Sequence, residues 1–140
     1  MNRLVILVAT ILLFAYVANA EESLLKCNGY RSHFNQAEQR DTSEPVSFNL
    51  IITKSNGMVT KVVKDKMLTF TLEKVNIGND RKPEYRQLIV TDDSIVLRTS
   101  TPTNIKDGGI QYIIKNTGEY SWNYLIYEEY GKCVVPDKVF

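Results

Sequence analysis

The chain has little of what active sites are usually assembled from. Its 140 residues hold one histidine, two cysteines and one tryptophan. His33 stands in a polar stretch with no cysteine or serine motif beside it, and a general base needs a positioned partner. No G-x-S-x-G, H-E-x-x-H, phosphate-cradling glycine loop or EF-hand spacing occurs. Asp92-Asp93 offers two carboxylates, but neighbours in a tight turn diverge, and turns favour aspartate for its local hydrogen bonds. One histidine and no C-x-x-C fall short of the four ligands of a structural zinc site. These absences argue against an enzyme and imply neither a metal nor a cofactor.

Charge of one sign is missing too. The chain carries 17 Lys+Arg against 16 Asp+Glu. Arg3 belongs to the leader described below, so 17 − 1 leaves 16 against 16 in the remainder. A nucleic acid or an anionic membrane as main partner would want a basic patch, and the composition supplies none. After residue 20 no apolar run is long enough to span a bilayer.

What is present begins with an export signal. Arg3 forms a short positive n-region, Leu4 to Val17 is an almost unbroken apolar run, and Ala18-Asn19-Ala20 is an A-x-A cleavage site. The run is short for a span, and acidic Glu21 and Glu22 follow it rather than a basic stop-transfer flank. The reading is a signal peptide over 1–20 and one domain over 21–140, periplasmic or secreted in a bacterium. In an oxidising compartment an even pair of cysteines, Cys27 and Cys133, reads as a disulfide joining the first strand to the last.

The domain reads as strands. Leu24 to Tyr30 is a short first strand. Arg31 to Glu44 is the most polar stretch, where Ser32 caps a short helix with Phe34 and Ala37 inward and Pro45 ends it. From Val46 to Ile52 apolar residues alternate with polar ones. Asn56-Gly57 marks a hairpin into Met58 to Val63, with two- and three-residue loops both open. Met67 to Ile77 is a half-exposed strand, Asn76 to Glu84 a loop. Tyr85 to Thr91 and Ser94 to Thr99 pair around Asp92-Asp93, which sets Val90 against Ile95 and Leu88 against Leu97. Ser100 to Gly109 is a second long loop, and Gly131 to Phe140 a tail.

Ile110 to Tyr130 carries the clearest pattern. A three-residue loop at Asn116-Thr117-Gly118, a type I turn closed by glycine, sets Ile114 opposite Tyr120, Tyr112 opposite Trp122 and Ile110 opposite Tyr124. The apolar members of both strands then share a face. On this pairing Tyr112, Tyr120, Trp122, Tyr124 and Tyr130 lie on one face and Tyr127 on the other.

About eight strands joined by hairpins make an all-β fold: an up-and-down meander closing to a small barrel or curled sheet, with a β-sandwich as the alternative. Tyr112, Tyr120, Trp122 and Tyr124 are the candidate binding residues: they fill the barrel, or line a mouth where an apolar body with a polar tip suits a ligand, or, with the parity reversed, form an exposed aromatic patch that marks a protein interface. Arg81-Lys82 and Lys106-Asp107 are candidate rim charges. The function expected is a non-catalytic binding module of the cell envelope contacting a protein or a glycan. A lipocalin-like carrier of a small apolar ligand is the alternative.

Two resemblances accompany this reading. A cysteine just past the signal (LLKCNGY), a late hairpin (NTGEYSW) and a final G-x-C (Gly131-Lys132-Cys133) resemble a layout found in small exported bacterial proteins. Those proteins have no assigned activity, so the resemblance implies a fold and a compartment. The chain is also similar to periplasmic inhibitors of C-type lysozyme, small barrels with bridged terminal cysteines and a Ser-Gly-x-x-Tyr stretch followed by a tryptophan and a Lys-Gly pair. Gly109-Ile110-Gln111-Tyr112 supplies the G-x-x-Y spacing, with Trp122 downstream. Asp107-Gly108 stands where the serine is expected and no Lys-Gly pair is near the tryptophan, so this resemblance implies architecture.

Overall fold

In a computed structural model, residues 20–103, 109–124 and 127–134 are described. The expected signal segment falls outside them except for Ala20, and so do Lys106 and Asp107. No helix occurs among the described residues, which form one antiparallel sheet of ten strands. The strands are β1 (Ala20–Asn35), β2 (Arg40–Ser55), β3 (Met58–Lys64), β4 (Leu68–Thr71) and β5 (Val75–Asn76). They continue as β6 (Tyr85–Val90), β7 (Ser94–Ser100), β8 (Ile110–Lys115), β9 (Glu119–Tyr124) and β10 (Tyr127–Val134). The sheet runs β4-β3-β2-β1-β10-β9-β8-β7-β6-β5, a meander whose first and last strands are neighbours. The barrel-like, all-β expectation holds.

Hairpin chemistry set the registers. Around Asn116-Thr117-Gly118 the ladder pairs Ile114 with Tyr120 and Tyr112 with Trp122. Gly118 N–H donates to the Lys115 carbonyl at 2.9 Å, and Gly118 closes the loop at φ +91°, a region where a side chain would be strained. Asp92-Asp93 joins β6 and β7 with Val90 opposite Ile95 and Leu88 opposite Leu97. The Asn56-Gly57 turn has the two-residue loop, since Ser55 faces Met58, and a register shift follows at Thr53/Lys54.

Three expectations are corrected. The helix at Ser32 is absent: β1 continues to Asn35, with Ser32 paired to Ser43 and Glu128. β2 pairs with this stretch as far as Asn35 and β10 as far as His33, and the weak helical period offers nothing to compete. Pro45 ends no element but sits inside β2 opposite Tyr30. β3 reaches only as far as Leu50, so at Pro45 β2 is an edge, where a missing N–H is tolerated. Gly131 to Val134 is not tail but the end of β10.

The strand expected over Met67–Ile77 is interrupted at 72–74, and the interruption is where the barrel nearly closes. Its first half, β4, bonds to β3, and its second half, β5, bonds to β6. Across this seam the Gln87 side-chain amide donates to the Leu72 carbonyl at 3.3 Å, and the Arg86 guanidinium lies 5.4 Å from the Phe70 ring. Inward side chains of all the longer strands meet in one core, including Leu25, Leu50, Ile52, Val62, Leu88, Leu97 and Ile114. The split strand and β10 account for ten strands where about eight were expected.

Candidate functional site

The site is built on the contact between β1 and β10. Cys27-x-Gly29-x-Arg31 runs antiparallel to Glu129-x-Gly131-x-Cys133, so that Cys27 faces Cys133, Gly29 faces Gly131 and Arg31 faces Glu129. These residues share the inner face because strand side chains alternate. Cys133 N–H is spent on the Gly118 carbonyl of the β9 side at 2.7 Å. Cys27 and Cys133 are therefore a non-hydrogen-bonded pair, the closer of the two antiparallel kinds. Their Cα atoms are 3.9 Å apart, and the expected disulfide is formed.

At the other end of this six-residue motif a carboxylate is buried. Glu129 is 2% exposed. Its Oε2 accepts from Arg31 Nη2 at 2.8 Å, from Arg31 Nε at 3.1 Å and from the Tyr112 hydroxyl at 3.4 Å, while Oε1 accepts from the Tyr120 hydroxyl at 3.2 Å. A buried charge is tolerated when it is paired and its lone pairs are satisfied, and both conditions are met.

The glycines make that possible. A Cβ on Gly29 would lie 2.5 Å from the Tyr120 hydroxyl and 2.2 Å from the Tyr130 carbonyl oxygen; one on Gly131 would lie 2.2 Å from the Asn28 carbonyl oxygen. Two bare positions facing each other let β1 and β10 approach and leave room for the Tyr120 phenol to reach Glu129.

An aromatic cluster covers the ion pair. Phe48 takes Tyr120 edge-on at 4.9 Å and Tyr112 at 5.4 Å, and Trp122 stacks on Tyr112 at 5.6 Å. Arg31 places its guanidinium 5.2 Å from the Trp122 ring centroid, and Lys64 Nζ lies 4.9 Å from Phe48 and 5.0 Å from Tyr112. Burial pushes the Tyr112 hydroxyl up to about 12, with the Glu129 charge adding to the effect and Arg31 opposing it. Tyr120 is raised as well, by burial first and Glu129 second. The hydrogen bond to Glu129 raises Arg31. Both phenols are thus proton donors to the carboxylate at neutral pH.

Of the expected site residues, Tyr112, Tyr120 and Trp122 converge. Tyr120 is core, 3% exposed, while Tyr112 and Trp122 are half-buried. Tyr124 belongs to β9, and its side chain lies outside the described residues. His33 is in a strand rather than a loop, its Nε2 3.1 Å from Thr42 Oγ1 and its ring 5.5 Å from Tyr127. Arg31 and Glu129 were not anticipated. The signal for them was the mirrored spacing C-x-G-x-R and E-x-G-x-C, which has meaning only once the two segments are known to face each other.

Tyr130 corrects the face assignment. The chain reverses once more between β9 and β10, pairing Tyr124 with Tyr127 and Trp122 with Glu129. Glu129 therefore joins the inner set, Tyr127 falls on the face of Trp122 rather than on the opposite one, and Tyr130, opposite Ser121, turns outward at 56% exposed.

Fold and site together define a small, disulfide-bridged, barrel-like β protein with an ion pair built into its core. No family model, no curated protein and no solved structure matches the chain.

Proposed function

We propose that this protein is an exported, non-catalytic binding module of a bacterial cell envelope, periplasmic or secreted, that contacts a protein or a glycan. The observation that carries the reading is the Glu129 cluster. Arg31, Tyr112 and Tyr120 each hydrogen-bond to Glu129 inside the β1–β10 contact, and Phe48 packs edge-on against Tyr120. Tyr30 and Tyr130, by contrast, point away from the core with more than half of their surface exposed. Aromatic side chains are enriched where proteins meet partners. The Cys27–Cys133 bridge supports export, since such bonds persist in oxidising compartments. No helix among the described residues is long and apolar enough to cross a membrane.

Native mass spectrometry on protein purified mildly from its own host tests this against a carrier role. The expected result is the oxidised chain alone or in complex with a protein or glycan. A stoichiometric small apolar adduct that quenches Trp122 fluorescence on rebinding would overturn the proposal.

A further inference from the structure

The outer face of the β1–β10 contact carries an ordered stripe. Pro45, Tyr30, Tyr130, Ser121 and Ile113 are successive cross-strand partners over β2, β1, β10, β9 and β8. Tyr30 and Tyr130 lie side by side at its centre, 55% and 56% exposed. Hollows of about 400 Å³ beside Tyr130 and about 440 Å³ beside Tyr30 flank the pair. On one side runs a polar row of Ser47, Asn28, Lys132 and Glu119; on the other runs a row of Ser43, Ser32, Glu128 and Asn123.

We infer that this stripe binds a linear, neutral glycan, with the Tyr30 and Tyr130 rings stacked against its sugar faces and the two polar rows taking its hydroxyls. The inference rests on the binding-module reading and names its surface and ligand class. Four inter-strand steps of about 4.8 Å make the stripe about 19 Å long, and outward side chains two residues apart place each polar row only about 7 Å from its axis. That is the footprint of a chain of rings. A stable protein interface needs roughly 800 Å² per partner around a core depleted of charge, and a stripe one residue wide between charged rows does not provide it. Lys115 and Lys132 balance Glu119 and Glu128 along the rims, which gives no sign of charge for an anionic polymer to seek. Tyrosine suits the task because its ring offers an apolar face and its hydroxyl a polar tip.

The test is calorimetric titration of the mature, oxidised protein with cellohexaose, chitohexaose and maltohexaose, with polygalacturonate as the anionic comparison. At least one neutral hexaose binds. Tyr30→Ala and Tyr130→Ala each weaken it about tenfold, the size of one good aromatic contact. Tyr130→Phe keeps the stacking and most of the affinity, and Tyr85→Ala, away from the stripe, changes nothing. Because both tyrosines point outward, circular dichroism of the alanine variants is expected to match the parent; should an alanine variant unfold, Tyr130→Phe and hexaose-induced amide shifts mapped to β1 and β10 decide. Binding to none of the hexaoses, tighter binding to polygalacturonate, or binding indifferent to both alanine changes overturns the inference. If no glycan binds but a defined envelope protein crosslinks through position 130, the glycan assignment falls while the binding-module reading stands. If neither partner is found, both fall.

Discussion

Glu129 and Arg31 show how one pair of residues fixes the middle of this sheet. The carboxylate is buried to 1% of its side-chain surface, while Arg31 keeps 35% of its own. Arg31→Met leaves the carboxylate without its cation, and a loss of about 3 kcal/mol in urea unfolding is expected, at the low end for a broken buried pair because water reaches that side of the site. The double variant Arg31→Met/Glu129→Gln removes the stranded charge and recovers at least about half of that loss. A double variant no better than the single one would contradict the pairing.

The tyrosines at the same site give a pH dependence with a definite sign. Tyr112 is raised to about 12, and Tyr120 is raised too, so the folded state holds these protons after an unfolded chain releases them near the ordinary phenol value of about 10. Their contribution to stability is complete below about pH 10 and is lost as the pH climbs toward the folded values. Urea midpoints measured from about pH 8 to about pH 11 are therefore expected to fall, and Tyr112→Phe to flatten part of the fall. A midpoint independent of pH over that range would show that these phenols are not held by burial.

Among the elements, the hairpins were legible and the strand ends were not. Asp92-Asp93 and Asn116-Thr117-Gly118 fix their own registers locally, because loop length and turn chemistry act over a few residues. Ser32 to Asn35 gives no sign in the sequence of belonging to β1, since a polar strand has no alternation strong enough to announce it. Met67 to Ile77 reads as one strand because its pattern is continuous; its division follows from its two partners, β3 just before it in the chain and β6 beyond the loop that follows it. That seam is the weakest part of the ladder. β5 contributes two residues, both exposed. Amide hydrogen exchange is expected to be fastest among the described strands at 72–77 and 85–87, and slowest in β1 and β10. Protection at the seam equal to that of β10 would mean a continuous, fully bonded barrel.

For the molecule as a whole, the Cys27–Cys133 bridge spans 106 residues of sequence and joins adjacent strands. Closing so long a loop lowers the entropy of the unfolded chain, so Cys27→Ser/Cys133→Ser is expected to lose about 4–5 kcal/mol in denaturant titration. The antiparallel register from Lys26–Val134 to His33–Tyr127 does not depend on the sulfurs and is expected to survive wherever the variant remains folded. Unchanged stability on reduction would mean that the ladder alone holds the termini together.

Alternation, turn residues and the count of cysteines determined the all-β class, the main hairpin registers and the disulfide, because each is set by neighbours in sequence or by the chemistry of one residue type. Tertiary structure alone decided that Gly29 and Gly131 face each other, that Arg31 and Glu129 meet at the next inward position, and that Tyr30 and Tyr130 stand together outside. Those juxtapositions join segments about a hundred residues apart, and a shift of one residue in that pairing would have exchanged the inner set for the outer one.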